Sequence, residues 1–348
     1  MSGSRHKDLG IQTVRGLALL LVVAGHVIGF SPDDGLRVSD GSFWRKLYDV
    51  LKPVRMPLFC TISGYVYAMR AVHPASQFAQ FGIGKLKRLG IPFMVVTTIY
   101  FILLGIKEGV PFTPLALLNA YLFGSNHLWF LQAIMWIFLL VFALDKFSLM
   151  QKLRDYLIVL ALALLSAMIP YPYVQLLNVG GALLLLPFFL LGLGIYRFDA
   201  LLPARYLGPV VVVALVALYL VDFAAGSPWL RNGTLAFDIY AIVLGFCTSY
   251  SFLTCRWHTP LLAWLGAYAF EGYLFHLFGT AGSRMVLNRF NVDNLTVLFV
   301  VGAVAGLLVP ICMAIVIKRV RALHFLSYWL FGTKIRPVPA VPAEVVRS

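Results

Sequence analysis

LGIQTVRGLALLLVVAGHVIGF, residues 9–30, is the stretch that decides how the chain is read. Its length suits a membrane helix, which needs roughly 20 apolar residues. Its only ionisable side chains are Arg15 and His26. A charge inside a bilayer costs on the order of 2.5–3.5 kcal/mol on insertion scales, so groups that persist there usually face a cavity or a partner. Arg15 and His26 are eleven residues apart. Eleven steps of about 100° end about 20° beyond three full turns, so both side chains share one helix face, about 16 Å apart along the axis. Two readings stay open from this helix alone: a functional pair, or a snorkelling arginine with a hydrogen-bonded interfacial histidine.

The apolar character extends through the chain. Of 348 residues, 61% are hydrophobic and 12% charged, with a mean hydropathy of +0.87. Soluble domains are about 45–50% apolar and about 25% charged, which excludes a cytoplasmic globule. The 14% aromatic content and recurring apolar runs exclude a disordered chain. The expected fold is all-α: a polytopic integral membrane protein with about ten transmembrane helices. Their expected limits are 9–30, 47–69, 89–106, 127–144, 156–170, 174–196, 206–223, 234–254, 261–282 and 295–317. Pro170 and Pro172 close the short fifth tightly against the sixth. The first is expected to be a span, not a signal peptide, since Arg15 interrupts its apolar region and no small-residue cleavage site follows. Residues 1–317 form one membrane domain with no fixed-period repeat. The segment 318–332, KRVRALHFLSYWLFG, is expected to lie at the membrane surface as an interfacial helix, and the Pro-rich remainder to 348 to be a disordered tail.

The net charge of +14 suits basic cytoplasmic loops and requires no nucleic acid. With the N-terminus placed in the cytoplasm, eighteen Lys and Arg fall on the inner side and seven on the outer, while Arg15, Lys52 and Arg55 lie within spans. The bias places both termini inside a plasma (inner) membrane. Cys60, Cys247, Cys255 and Cys312 lie in or beside apolar runs without metal-ligand or C-x-x-C spacing, and read as small hydrophobes. No metal is expected.

Five segments carry a more specific signal. Arg15, ten residues, then His26 forms R-x10-H within VRGLALLLVVAGHV. RMPLFCTISGYVYA occupies 55–68, KLKRLGIP 85–92, HLWFLQ 127–132 and GYLFH 272–276. In this order they resemble the motifs of membrane-bound acyltransferase family 3, over essentially the whole membrane region. The MPLF and HLWFL segments resemble its sugar O-acetylase branch, including fucose 4-O-acetylase-like members. Two positions depart from the usual pattern: Lys85 stands where the basic motif has Arg, and Arg55 where many relatives have His.

The resemblance implies an acyl-CoA-dependent O-acyltransferase. Acetyl-CoA would be a co-substrate rather than a bound cofactor. The acceptor would be a glycan, a lipid-linked sugar or another hydroxylated molecule. Lys85, Lys87 and Arg88, at the cytoplasmic mouth of the third span, would hold the CoA phosphates as well as signal topology. Arg15 would position the donor through its pantetheine, thioester or pyrophosphate. His26, nearer the outside, would take the acceptor proton as a general base; an unperturbed imidazole of pKa about 6.5 is largely neutral at pH 7. Glu271, Tyr273 and His276 are expected in the outer half of the ninth span. Glu271 either orients His26 or pairs with Arg55 or Arg15. Tyr273, His276, His127, Trp129 and Arg55 are expected around the acceptor, although aromatics at 127–130 also suit an interfacial belt. Asp49 and Lys52 are spaced to pair, Ser63 to bond its own helix backbone, and Asp222 and Asp238 to sit at solvated span ends. A lipid-linked sugar transporter or flippase is the rival reading, since intramembrane charges suit it too. A non-catalytic scaffold would need neither the Arg/His face nor the basic mouth.

Overall fold

A computed structural model describes residues 8–69, 78–109, 112–124, 126–168, 175–198, 207–226, 230, 234–255 and 257–333. The expected disordered tail and the Pro170/Pro172 corner lie outside the described residues. Every described regular element is helical. The helices are α1 (Leu9–Ile28), α2 (Phe43–Ala68), α3 (Phe78–Lys85), α4 (Ile91–Glu108), α5 (Pro114–Leu122), α6 (Trp129–Lys146), α7 (Leu153–Ala167), α8 (Val179–Arg197), α9 (Leu207–Ala224), α10 (Leu235–Thr254), α11 (Pro260–Ala267), α12 (Ala269–Arg289), α13 (Leu295–Arg319) and α14 (His324–Phe331).

Each of the ten expected segments corresponds to helix. Among the described residues, seven spans are long and apolar enough to cross a membrane by length and composition, and α11 with α12 forms an eighth if counted as one broken span. The other two fall short for identifiable reasons. The first half of α2 carries Arg45, Lys46, Asp49, Lys52 and Arg55, and α7 has only 15 residues. The chain is an all-α, multi-pass membrane protein. Its lipid-facing surface is explicit in α9, only 11% buried, where Val210, Val213, Leu218, Leu220 and Val221 are all exposed. A helix facing water would carry a polar stripe there.

Between lipid-embedded helices the hydrophobic effect contributes little, so close packing of small residues takes over. Gly16 on α1 and Gly266 on α11 meet backbone to backbone. A Cβ on Gly16 would lie 1.9 Å from the Leu262 carbonyl oxygen, and one on Gly266 would lie 1.9 Å from that of Gln12. Gly64 and Gly192 bring α2 against α8 in the same way. At one end of the bundle, Arg197 of α8 clamps Asp145 of α6 in two bonds of 2.8 and 2.7 Å, and the Tyr67 hydroxyl of α2 donates to the same carboxylate at 2.8 Å. This triad ties three helices together; removing one partner of such a buried pair typically costs about 3–5 kcal/mol.

Three features depart from the sequence expectation. The third span begins earlier, and α3 runs into α4 through a π-turn at Leu86–Gly90. Pro92 has no N–H for the Arg88 carbonyl, and the Ile91 N–H bonds back to Leu86, which widens the turn. The ninth span is not one helix. It bends by 85° between α11 and α12, with Tyr268 out of helical register at φ −111°, ψ 14°. Finally, 318–332 is not a single interfacial helix. Lys318 and Arg319 finish α13, and α14 packs inward, with Ser327, Leu330 and Phe331 buried and Phe325 and Trp329 exposed. One face of α14 is thus covered by protein, while Phe325 and Trp329 stay on the surface.

Candidate active site

Two cavities penetrate the bundle from opposite ends of α1. The first, about 740 Å³, is basic. Its charged lining comprises Arg15, Lys85, Arg88 and Lys318, with Glu271 as the acid. Lys85 and Arg88 are three residues apart and share a face across the π-turn. The same turn points Lys87 outward: it is exposed and does not line the cavity, which corrects its expected place beside the other two. Lys85 Nζ stands 3.1 Å from the centre of the Phe138 ring. The Arg88 guanidinium lies 5.1 Å from that of Phe270 and donates to the Phe331 carbonyl at 3.3 Å. Gly332 (φ +61°) seals this contact. A Cβ there would meet the Lys87 carbonyl oxygen at 2.5 Å and Arg88 Cα at 2.7 Å, so only glycine lets the end of α14 close on the π-turn.

The second cavity, about 380 Å³, is the histidine cavity. His26, Arg55, His127, Trp129 and Tyr273 line it, with Tyr48, Thr280 and Arg284. Arg15 and His26 share a helix face but open into different cavities, where the shared face had suggested a single one. Among the described residues His26 has no hydrogen-bond partner. Its ring centre lies 4.8 Å from that of His276 and 6.0 Å from that of His127.

The two flanking imidazoles are anchored to backbone. His127 Nε2 bonds the Leu274 carbonyl at 3.1 Å. His276 Nδ1 bonds the Tyr273 carbonyl at 2.9 Å and the Gly272 carbonyl at 3.2 Å. Each of those nitrogens therefore carries an N–H, and the opposite ring nitrogens are His127 Nδ1 and His276 Nε2. Both are buried without a partner. His276, expected beside the acceptor or in packing, is fully buried and stands behind His26, off the cavity lining.

Arg55 is equally constrained. Nη2 donates to the Tyr48 hydroxyl at 2.9 Å, and the guanidinium lies 4.8 Å from the Tyr48 ring centre. It occupies the notch left by Gly25, where a Cβ would come within 1.8 Å of Nη1. That Nη1 is buried with no partner, one residue along the helix from His26.

A wall of aromatic rings separates the cavities. Tyr273 lines both, while Phe59 and Phe130 line the basic one. Their ring centres are 5.6–6.4 Å apart. The Tyr273 hydroxyl donates to the His127 carbonyl, which fixes this ring against the histidine cluster.

Glu271 is the largest correction. It lies in the first turn of α12, not in the outer half of a straight span, because the bend at Tyr268 restarts the helix at the basic end. Its carboxylate lines the basic cavity and accepts from Lys318 Nζ at 2.6 Å. Its ion-pair partner is Lys318, and it shares the basic cavity with Arg15, away from His26 and Arg55 in the histidine cavity. Asp49 accepts from the Tyr219 hydroxyl at 3.2 Å, Asp222 from the Leu230 N–H at 3.1 Å, and the Ser63 hydroxyl donates to its own helix at Phe59.

Residues 8–316 match the family model of the acyltransferase domain, Acyl_transf_3. The chain belongs to this acyltransferase family. No curated protein and no solved structure matches it. Family membership makes the chain a membrane acyltransferase. The sequence points to most of the polar lining of the two cavities, Tyr273 included, but not to Lys318, to Arg284 or to Phe59 as Tyr273's partner in the wall. Lys318 reads in the sequence as one of the inner-side topology charges.

Proposed function

We propose that this acyltransferase moves an acyl group, most simply acetyl, from cytoplasmic acyl-CoA to a hydroxyl of a glycan or related acceptor, with His26 as general base. One observation carries the reading. A strongly basic cavity and a histidine cavity converge on Tyr273 from opposite ends of the bundle. The Lys/Arg distribution favours the basic cavity on the cytoplasmic side, where polyanionic CoA resides. Lys85 and Arg88 suit its phosphates. Arg15 lies deeper, along the path of the pantetheine chain.

In this reading the thioester end passes between Phe59, Phe130 and Tyr273 into reach of His26. The acceptor O–H gives its proton to a ring nitrogen of His26 while its oxygen attacks the thioester carbon. The C–S bond then breaks, and the departing CoA sulfur takes the proton back from the imidazolium. His26 needs an acceptor for its own N–H while its other nitrogen works, and the neighbouring His276 and His127 rings, neutral in this reading, offer Nε2 and Nδ1 for that bond. They replace Glu271 in the role of positioning groups. Arg55 Nη1 supports the oxygen that gains negative charge, since preorganised donors are worth most where water is excluded. The MPLF and HLWFL segments support a sugar acceptor, and Trp129 gives it a ring to stack on.

The test is acceptor-dependent release of free CoA from acetyl-CoA by purified protein, with mass spectrometry of surface glycans from cells with and without the gene. The expected result is CoA release and a glycan heavier by one acyl group. Protein that binds glycan yet leaves acetyl-CoA intact would contradict the reading and favour transport.

A further inference from the structure

The ion pair between Glu271 and Lys318 sits on the wall of the cavity assigned above to the donor. It joins the first turn of α12 to the last turn of α13. A purely structural pair would suit the seam between the helices. This one lines an open cavity, and the Lys318 side chain retains 39% of its exposure against 10% for Glu271. Lys318 also lies beyond residue 316, where the family match ends, and no expectation from the sequence gave it a role in binding.

The charges around this cavity besides Lys318 are Arg15 on α1, Lys85 at the end of α3, Arg88 in the π-turn and Glu271 on α12. Three of those elements thus present cations and one an anion. A carboxylate on the wall of a polyanion site works against binding through like-charge repulsion, unless a cation beside it offsets the charge. Lys318 does this at 2.6 Å. An ammonium has three donors, and Glu271 occupies one. The ring centres of Tyr268 and Phe331 lie 5.3 and 5.8 Å from Nζ, so the ammonium is bracketed by α11–α12 on one side and by α14 on the other. The neighbouring segment is part of the same wall: Thr333 lines the cavity, and Phe331 receives the Arg88 guanidinium.

We propose that Lys318 is a phosphate-binding residue of the basic cavity, oriented by Glu271, and that the pair tunes donor affinity: Lys318 raises it and Glu271 holds it down so that spent CoA can leave. This rests on the reading of the cavity as the acyl-CoA site. It assigns to the segment after the matched domain a part in that site, closing it with one cation from α13 and the carbonyl of Phe331.

The pair's two members then have opposite effects on one measurable quantity. Calorimetric titration of the purified full-length protein with coenzyme A, in zwitterionic nanodiscs at low salt, reads that quantity, and thermal unfolding of the same samples reads the structural contribution. Lys318→Ala should weaken CoA binding by about tenfold, the scale of a charge-assisted hydrogen bond. Lys318→Arg should stay within about threefold of wild type. Glu271→Gln keeps an acceptor for Lys318 but removes the negative charge, and should tighten binding by about threefold. Both differences should shrink at high salt. Equal affinity in all four proteins, or weaker binding in Glu271→Gln, would overturn the proposal and leave the pair structural. If Lys318→Ala does not fold, the sign of the Glu271→Gln effect decides by itself. Wild-type protein that fails to bind CoA would overturn the donor reading and this proposal with it; wild-type binding with unmoved variants would overturn this proposal alone.

Discussion

The two cavities solve different problems with the same helix. On the basic side, charge is plural and carried on long side chains: Arg15, Lys85, Arg88 and Lys318 line a volume of about 740 Å³, and aromatic rings or a carboxylate lie beside several of them. On the histidine side, polar groups are few and immobilised. Arg55 is wedged between Tyr48 and Gly25, and His127 and His276 are pinned to backbone carbonyls. Flexible cations suit the capture of a polyanion by many weak contacts. Fixed donors and acceptors suit a reacting centre, where misplacement by about 1 Å can cost a hundredfold in rate. Binding and chemistry are therefore expected to separate cleanly between the two ends of α1.

Mutations can break that separation. The largest effect should come from His26→Gln, which keeps size and hydrogen bonding but accepts no proton near neutral pH. Its maximal transfer rate should fall by about 10²–10⁴-fold, the usual contribution of a general base, with CoA affinity unchanged in titration. Loss of CoA affinity instead would mean that the two cavities are one site. Next comes Gly25→Ala. The new methyl group must displace the Arg55 guanidinium, a flexible end that can move without unfolding the chain. Steady-state kinetics should show a drop of about ten- to a hundredfold in maximal rate and an unchanged half-saturating acyl-CoA concentration. The smallest effect should be that of Lys85→Ala, read in the same assay. Half-saturation should rise about tenfold, as for one lost contact to a charged group, at a nearly unchanged maximal rate. A fall in maximal rate as large as that of Gly25→Ala would erase the distinction between the two sides.

The fold was largely legible because membrane spans announce themselves by length and composition, and each expected segment is helical. The R-x10-H spacing was equally legible: helical geometry alone places Arg15 and His26 on one face, and the structure gives each its own cavity. The 85° bend at Tyr268 was not legible. No proline or glycine pair marks it, and a hydropathy window averages across it. That single bend moved Glu271 from the expected outer half to the basic end. The inward packing of α14 was missed for a related reason: its apolar face reads the same whether lipid or protein covers it. Lys87 illustrates a finer limit, since a basic cluster in sequence does not reveal which members a π-turn points into a cavity. His276 was found by its motif, but its place behind His26 depends on a tertiary contact that no local pattern encodes.

The central claim is that donor enters through the basic cavity from the cytoplasmic side and is used at His26. Sealed membrane vesicles of both orientations, from cells making this protein and therefore carrying the native acceptor, test it with radiolabelled acetyl-CoA, which does not cross the bilayer. Inverted vesicles, which expose the cytoplasmic face, should incorporate label into acceptor, and sealed right-side-out vesicles should not. Inverted vesicles carrying His26→Gln should remain unlabelled. Labelling of right-side-out vesicles, or undiminished labelling with His26→Gln, would contradict the account.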